Sequence, residues 1–157
     1  GVAEAARQTD AEVTLVIAGD GDKRASLEQV AIEEEFEENV IFLGQIPRER
    51  AFKLMGDVDV FAMPSKWEGF SSSATEAMSV GTPCVFSDIQ AFRAPFDGAA
   101  KFHLVGDSDQ LANELVELLS DTVVREQFGT LGRERVNERF TTKKTAEAFE
   151  RIYETIV

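Results

Sequence analysis

The sequence predicts an α/β fold: a three-layer, doubly wound parallel sheet with extra helices toward the carboxyl-terminal end. Short runs rich in Val, Ile and Phe alternate along the chain with stretches of helical periodicity. The run at residues 13–18 is almost wholly apolar, which is typical of a strand buried on both faces of a sheet. Strands that alternate with helices favour parallel pairing, because each helix carries the chain back across the sheet.

The expected elements follow one another in a regular order. Residues 1–9 read as the end of a helix, and strands are expected at residues 13–18, 40–43, 58–63, 82–86 and 101–105. Further helices are expected at residues 26–36 and 48–55, from Ser71 onward, and over most of residues 111–156. In that last region, apolar side chains recur at helical spacing and predict three core-facing stripes: Leu111, Leu115, Leu118 and Leu119; Val124, Phe128 and Leu131; and Phe149, Ile152, Tyr153 and Ile156.

The composition limits the kinds of partner and site. The 157 residues suffice for one domain, and 16 basic against 29 acidic residues give a formal charge of −13. Such acidity argues against nucleic acid and anionic membrane as direct partners. A high-salt cytoplasm is one source of this composition, and ordinary acidic domains are another. The single Cys84 excludes an internal disulfide and predicts a buried thiol, while the single His103 argues against a zinc site and predicts a core or surface histidine.

The expected location follows from the apolar runs and from the first residues. No apolar run reaches the length of a membrane span, and no signal peptide is visible. We therefore expect a cytoplasmic domain without direct membrane insertion, and any membrane association to be made through the rest of a longer protein. Residue 1 lies inside a helical pattern, which favours a fragment of such a protein.

Two carboxylates, Glu68 and Glu76, mark the candidate site within residues 64–85. Glu68 lies in a loop, and Glu76 lies inside the helix that three serines open from Ser71. A helix start capped by serine presents N–H donors and partial positive charge, which attract phosphate. Carboxylates accept hydrogen bonds from hydroxyls. The pattern predicts a nucleotide-diphosphate sugar, with the sugar at Glu68 and the ribose diol at Glu76.

In so acidic a chain two glutamates at a given spacing mean little, and Glu76 could simply face solvent, so the surrounding residues carry the argument. Gly69 lets a ligand approach the backbone closely. The loop follows the carboxyl end of one expected strand, and a second strand follows the helix after Gly81. Open α/β sheets bind their ligands at such a place.

The segment "PSKWEGFSSSATEAMSVGTPCVFSD" resembles the signature of the family 4 glycosyltransferases, in which seven residues separate two glutamates. The resemblance covers essentially the whole chain, including "VTLVIAGDGDKRASLE", "NVIFLGQIPRERAFKLMGDVDVFAMPS", "GDSDQLANELVELLSD" and "RERVNERFTTKKTAEAFERIYE". It implies the carboxyl-terminal, donor-binding half of a GT-B fold, which is Rossmann-like. It also implies sugar transfer with retention of configuration from a UDP-, GDP- or ADP-linked donor, with no required metal or other cofactor.

The resemblance assigns roles to particular residues. It implies that Glu68 is catalytic and contacts the transferred sugar, and that Glu76 binds the ribose. The residues expected to meet the donor sugar and diphosphate are Glu68, Gly69, Phe70, Ser71, Ser72 and Ser73. The loop expected beside the nucleotide base contains Gly44, Gln45, Ile46 and Arg48, and the turn expected at the rim contains Asp20 and Gly21. A plain turn after a strand remains the alternative for both of these segments.

Two other patterns point to no site. Gly19, Asp20 and Gly21 begin a dinucleotide-binding pattern, but Arg24 stands where its third glycine belongs. Pairs of the form Asp-x-Asp, which can hold a divalent cation, occur three times in this acidic chain, as chance would produce. We therefore expect no functional metal.

The sequence departs from the resembled family in two ways. Ser71 stands where glycine is commonest, a mild change because its backbone N–H still donates. The family's Arg and Lys that neutralise the leaving diphosphate, and its acceptor-binding domain, fall before residue 1. We therefore expect a missing N-terminal domain to bind the acceptor, and the fragment alone to transfer no sugar. A sugar-nucleotide epimerase of related fold, a non-catalytic nucleotide-sugar sensor and an interaction module remain the alternatives.

The resembled sheet has the strand order 3-2-1-4-5-6, and its first strand would precede this chain. The runs at residues 13–18 and 58–63 would then flank an open place in the sheet. Unpaired backbone groups inside a core are costly, so we expect a longer expressed chain to fill that place. Direct pairing of the two runs, or a strand from another molecule, are the alternatives.

Overall fold

The computed structural model describes residues 1–156, apart from the side chains at positions 145, 148 and 156. Its strands are β1 (Leu15–Ala18), β2 (Val40–Gly44), β3 (Phe61–Met63), β4 (Cys84–Ser87) and β5 (Lys101–His103). Its α-helices are α1 (Val2–Gln8), α2 (Arg24–Glu33), α3 (Arg48–Asp57), α4 (Ser72–Ser79), α5 (Gln90–Phe96), α6 (Ser108–Ser120), α7 (Thr122–Arg139) and α8 (Thr142–Ile156), and a short 3₁₀ helix spans Glu37–Asn39 before β2. Helices and strands alternate as far as β5, and three helices follow, which confirms the predicted α/β class.

The five named strands pair in parallel, as predicted, and they form two separate sheets. β1 pairs with β2, while β3, β4 and β5 form the second sheet in that order. Within the described residues no ladder joins β1 to β3, so the direct pairing of residues 13–18 with 58–63 is not found. If the first strand is removed from the expected order 3-2-1-4-5-6, the pair 3-2 and the group 4-5-6 remain. These correspond to the observed sheets β1-β2 and β3-β4-β5. That a longer chain fills the place between β1 and β3 stays a prediction.

The two strands that flank this place are shorter than predicted. β1 begins at Leu15 and β3 at Phe61, two and three residues later than expected. The side chains of residues 15–17 are half-buried, so the prediction that this strand is buried on both faces is wrong for the described structure. The reason is that β2 is the only strand paired with β1 within the described residues.

β4 is the centre of the second sheet and of the core. Each of its residues is buried, and successive side chains enter opposite layers. On one side Phe86 packs with Phe92, Phe96 and Phe102, and the ring centroids of Phe86 and Phe92 are 4.7 Å apart. On the other side Val85 packs against α6 and α1. The three predicted layers are therefore present around this strand.

The three predicted apolar stripes differ in their surroundings. The leucine stripe of α6 lies in the core, as predicted, and the α7 stripe packs against the core while partly buried. The core-facing stripe predicted on α8 is wrong for its described residues, because more than half of the surface of Phe149, Ile152 and Tyr153 is exposed. The side chain of Ile156 lies outside the described residues. No helix in residues 1–156 is long and apolar enough to span a membrane.

α4 packs against α7 at two glycines of α7. A Cβ atom added at Gly129 would lie 2.3 Å from the carbonyl oxygen of Gly81, which follows α4. A Cβ atom added at Gly132 would lie 3.3 Å from Cε of Met78, the far end of a flexible side chain. The approach of the two helices is thus limited by backbone at the first glycine and by a movable methyl group at the second.

Gly129→Ala should lower the free energy of unfolding by roughly 1–3 kcal/mol, because the added methyl group meets a backbone oxygen that cannot turn aside. The cost of this clash should exceed the roughly 1 kcal/mol by which alanine stabilises a helix relative to glycine, so the net effect is a loss of stability. Gly132→Ala is the matched control and should cost less or even stabilise the protein. Urea unfolding measures both changes. Equal midpoints for the two variants would contradict the assigned backbone contact.

Candidate functional site

Ser71 fixes the start of α4 at the place that the sequence predicts. Its hydroxyl oxygen accepts a hydrogen bond from the N–H of Ala74 at 3.2 Å and lies 3.4 Å from Sδ of Met63 at the end of β3, to which it donates. The first helical hydrogen bond ends at the carbonyl of Ser71 and begins four residues later. The N–H groups of Ser72 and Ser73 precede that bond, so the helix itself gives them no partner. They are available to an anion.

Glu68 lies in the loop between β3 and α4 and is half-buried. The hydroxyl of Ser65 donates to its Oε1 at 2.9 Å. Within the described residues no hydrogen bond reaches its second carboxylate oxygen. That oxygen can therefore accept a hydrogen bond from a hydroxyl of a bound ligand.

A cavity of about 370 Å³ opens beside Glu68. Lys66, Trp67 and Glu68 line one side, and Ile89, Gln90 and Ala91, which follow β4, line the other. The indole of Trp67 is 83% exposed, so its ring face is open to a ligand. Sequence reasoning missed Trp67 and Gln90 as site candidates. The available signal was that the loops after β3 and β4 both leave the carboxyl ends of neighbouring parallel strands, and therefore lie at the same edge of the sheet.

A second cavity, of about 390 Å³, lies between α1 and the end of α2. Its lining includes Arg7, Val13, Glu34 and Asn39, and none of the predicted site residues. Val13 and Asn39 stand just before β1 and β2. Parallel α/β sheets bind ligands at the opposite, carboxyl edge, so the cavity beside Glu68 is the better candidate.

Glu76 lies on α4, and its side chain is only 18% exposed. Arg48, the first residue of α3, reaches Glu76 from this neighbouring helix, and Nε and Nη2 of Arg48 donate to Oε1 of Glu76 at 3.1 and 2.5 Å. The Arg48 side chain is itself 84% exposed. The structure therefore brings the predicted ribose residue into direct contact with a residue of the predicted base loop.

The predicted base loop lies beside the predicted rim turn. The N–H of Gly19 donates to the carbonyl of Gly44 at 2.8 Å, which joins the segments after β1 and β2. Gly44 has a φ of 63°, a left-handed conformation that favours glycine. Arg24, which sequence reasoning did not propose for the site, lies over the ring of Phe42 and next to Gly44. Of the remaining base-loop residues, Gln45 is exposed and Ile46 is half-buried.

Phe70 ties the loop to the end of α7. Its ring centroid is 5.6 Å from that of Phe140, which in turn is 5.7 Å from the ring of Phe96 in the core. Phe70 remains 64% exposed, so one side of its ring still faces outward. The backbone at Gly69 and Phe70 is thus anchored through a side chain and stays accessible.

The single histidine and cysteine lie in the core. His103 is 3% exposed, with Nδ1 2.9 Å from the carbonyl of Leu104 and Nε2 3.4 Å from Oγ of Ser87. The predicted buried thiol of Cys84 is confirmed, and burial raises its pKa. In the part of the chain that the structure describes, no three His, Cys, Asp or Glu side chains form a group that could hold a metal ion.

An ion pair holds the loop after β4. Nε and Nη2 of Arg93 donate to the two carboxylate oxygens of Asp88 at 2.8 and 2.6 Å. The guanidinium also lies 3.9 Å from the ring centroid of Phe102. The hydrogen bonds from Arg93 hold the pKa of Asp88 below its usual value. Asp88 directly precedes Ile89, so this pair fixes one side of the cavity beside Glu68.

Comparison with protein families identifies a profile, described as "Glycosyl transferases group 1", that matches residues 2–135. The phosphatidyl-myo-inositol mannosyltransferase of Mycobacterium leprae (strain TN) is 36% identical over 148 residues, which are 92% of this chain and 38% of that protein. The chain thus spans about two fifths of the length of this relative.

Solved structures share the fold. The sucrose-phosphate synthase of Thermosynechococcus elongatus is 27% identical, with a TM-score of 0.84, and the match covers 99% of this chain and 41% of that one. The Anabaena protein HepE, solved with UDP-glucose, is 24% identical, with a TM-score of 0.82 and coverage of 99% and 43%. These neighbours confirm the predicted fold class, the Rossmann-like half of a GT-B fold.

Asp88→Asn should lower the free energy of unfolding near pH 7 by roughly 1 kcal/mol, because it removes the charge that Arg93 pairs with. The folded-state pKa of Asp88 is depressed, so its contribution is present above the unfolded-state pKa of about 3.9 and is lost as the pH falls below it. The stability difference between variant and parent should therefore shrink below about pH 4. Asp59→Asn, at an exposed aspartate without an ion pair in the described residues, is the control. Denaturant unfolding across this pH range measures the difference, and a gap that does not change with pH would contradict the assigned role.

Proposed function

Because the chain belongs to the group 1 glycosyl transferases, we propose that it is the carboxyl-terminal, donor-binding part of a retaining family 4 glycosyltransferase. The observation that carries the proposal is the start of α4, where N–H groups without helical partners stand between Glu68 and Glu76. Two carboxylates that can accept from hydroxyls then flank a place that favours phosphate. This is the order of groups in a nucleotide-diphosphate sugar.

The parts of the donor are proposed to lie along the carboxyl edges of the strands. The base lies over the loop after β2, and Glu76 accepts hydrogen bonds from the ribose diol. The diphosphate meets the backbone from Gly69 to Ser73. The sugar occupies the cavity beside Glu68, where the exposed face of Trp67 and the amide of Gln90 offer apolar and polar contacts.

The proposed reaction transfers the sugar with retention of configuration. The oxygen of the acceptor hydroxyl bonds to the anomeric carbon as the bond from that carbon to the diphosphate breaks. The leaving diphosphate takes the bonding electron pair and accepts the hydroxyl proton on the same face of the sugar. The N–H groups of Ser72 and Ser73 stabilise the charge on the leaving group, and Glu68 holds the sugar hydroxyls in place. We propose that no metal or other cofactor is required.

The relatives suggest the range of substrates. One relative is named a mannosyltransferase, another is an O-antigen biosynthesis glycosyltransferase from Escherichia coli, and HepE was solved with UDP-glucose. We propose a UDP-, GDP- or ADP-linked donor and an acceptor that is a glycan, a lipid or another glycoconjugate precursor. A separate N-terminal domain of a longer, cytoplasmic protein would bind that acceptor, and would supply any membrane association.

The geometry disfavours the epimerase alternative but not the sensor. A sugar-nucleotide epimerase needs a base beside the sugar, and His103 is buried with both ring nitrogens near other groups. A non-catalytic nucleotide-sugar sensor would share the same donor contacts. Sugar transfer from a matched donor to an acceptor by the full encoded protein separates an enzyme from such a sensor.

Glu76→Ala should weaken binding of the matching nucleoside diphosphate by roughly 1.5–3 kcal/mol, because a charged acceptor of the ribose diol is lost. Glu49→Ala, at an exposed glutamate on α3, removes the same charge and serves as the control. Calorimetry with UDP, GDP and ADP measures the affinities, and thermal melting checks the fold. Unchanged affinity in a variant with the parent melting temperature would show the ribose role to be wrong.

Glu68→Ala should leave the affinity for the nucleoside diphosphate nearly intact while removing most of the preference for its sugar conjugate. The physical reason is that Glu68 faces the cavity assigned to the sugar, on the other side of the α4 start from Glu76. Calorimetric titration with each nucleoside diphosphate and its sugar conjugate measures this preference. An equal loss for the two ligands would contradict the assignment.

A further inference from the structure

The contact between Arg48 and Glu76 leaves the two carboxylate oxygens of Glu76 in different environments. Nε and Nη2 of Arg48 both donate to Oε1. Within the described residues Oε2 of Glu76 accepts no hydrogen bond. It is also absent from the buried side-chain atoms that lack a partner, so it is accessible from outside. One oxygen is therefore held by the protein while the other is open to a ligand.

The two side chains also differ in how firmly they are placed. Glu76 stands on α4, whose neighbouring residues Ala74, Ala77 and Met78 are fully buried, and its own side chain is 18% exposed. Arg48 is 84% exposed and reaches the carboxylate from the surface. A glutamate side chain loses rotamer freedom when it is ordered. Arg48 holds Oε1 before any ligand arrives, so the Glu76 side chain is already ordered when the ligand binds. The entropy cost of ordering it is then not subtracted from the binding free energy, which raises the affinity.

Charge gives the pair a second effect. The carboxylate of Glu76, one turn into α4, repels the phosphates that the N–H groups at the helix start attract. The guanidinium of Arg48 offsets this repulsion, since it touches the same carboxylate. Loss of Arg48 should therefore weaken the binding of any phosphorylated ligand, with or without a ribose 2′-hydroxyl. Only a change in the affinity difference between ligands with and without that hydroxyl can show that Arg48 orients Glu76.

We propose that Arg48 is a positioning residue for ribose recognition: it holds Oε1 of Glu76 so that Oε2 accepts hydrogen bonds from the ribose diol. The inference rests on the proposed nucleotide-sugar binding. It goes beyond that proposal by assigning the discrimination between ribonucleotides and 2′-deoxyribonucleotides to an arginine on α3 together with a glutamate on α4. Arg48 itself makes no contact with the reacting atoms.

The test compares a ribonucleotide with its 2′-deoxy counterpart. Calorimetry on the full encoded protein first identifies which of UDP, GDP and ADP binds most tightly. That ligand and its 2′-deoxy form are then titrated into each variant. In the parent, the ribonucleotide should bind roughly 10- to 100-fold more tightly, as expected for hydrogen bonds to a charged acceptor. In Arg48→Ala the ratio of the affinity for the ribonucleotide to the affinity for its 2′-deoxy form should fall to about three or less, because most of the hydrogen-bond preference is lost.

A double-mutant cycle shows whether the arginine acts through the glutamate. Glu76→Ala alone should bring the ratio close to one, and adding Arg48→Ala to it should change the ratio no further. Arg48→Lys keeps the charge but offers a single nitrogen, so it should restore part of the ratio. Arg50→Ala is the matched control, since Arg50 is an exposed arginine on the same helix without an ion pair in the described residues. It should leave the ratio unchanged.

The outcomes are distinguishable. An equal fold-loss for the ribonucleotide and its 2′-deoxy form in Arg48→Ala would mean that Arg48 acts on the phosphates or through charge alone, which overturns the inference. Unchanged affinities for both nucleotides in an Arg48→Ala variant with the parent melting temperature would also overturn it, while leaving the proposed function intact. If none of the three ribonucleotides binds the parent protein, the proposed function fails and the inference fails with it.

Discussion

The position of the first turn of α4 is the constraint on which the candidate site depends. Its N–H groups can serve an anion only if the helix cannot shift or rotate. Three contacts prevent that movement: the Ser71 hydroxyl links the helix start to β3, fully buried Ala74, Ala77 and Met78 hold its inner face, and α7 approaches its carboxyl-terminal end at a glycine. The hydroxyl of Thr82, in the segment after α4, donates to the carbonyl of Met55 on α3 and so links that segment to the neighbouring helix. The proposed site for phosphate is thus built on buried packing around a short helix.

The late helices matter to this site although they contribute none of its predicted residues. α7 supplies the glycines against which α4 packs, and Phe140 at its end receives the ring of Phe70 from the loop that holds Glu68. Phe140 in turn contacts Phe96, which belongs to the core beside β4. The loop is therefore connected by aromatic contacts to the most buried strand, and its backbone can remain exposed without being unsupported.

Local chemistry in the sequence predicts much of the fold. The alternation of apolar runs and helical periodicity identifies all five strands and the α/β class, and the serine at the start of α4 is visible as a cap. Periodicity says which side chains share a face, but it does not say what lies opposite that face. For this reason the α6 stripe is buried as predicted while Phe149, Ile152 and Tyr153 of α8 are exposed. The pair of Arg48 with Glu76 and the place of Gln90 opposite Glu68 join segments far apart in sequence, which spacing alone does not reveal.

The candidate site is shared between segments that follow strands of both sheets. Arg48 begins α3 after β2, Glu76 lies on α4 after β3, and the ion pair between these two side chains joins the segments directly. The base loop belongs to one sheet and α4 to the other, so a nucleotide that touched both would act as a strut between them. Its length would then help to set the distance between these two segments.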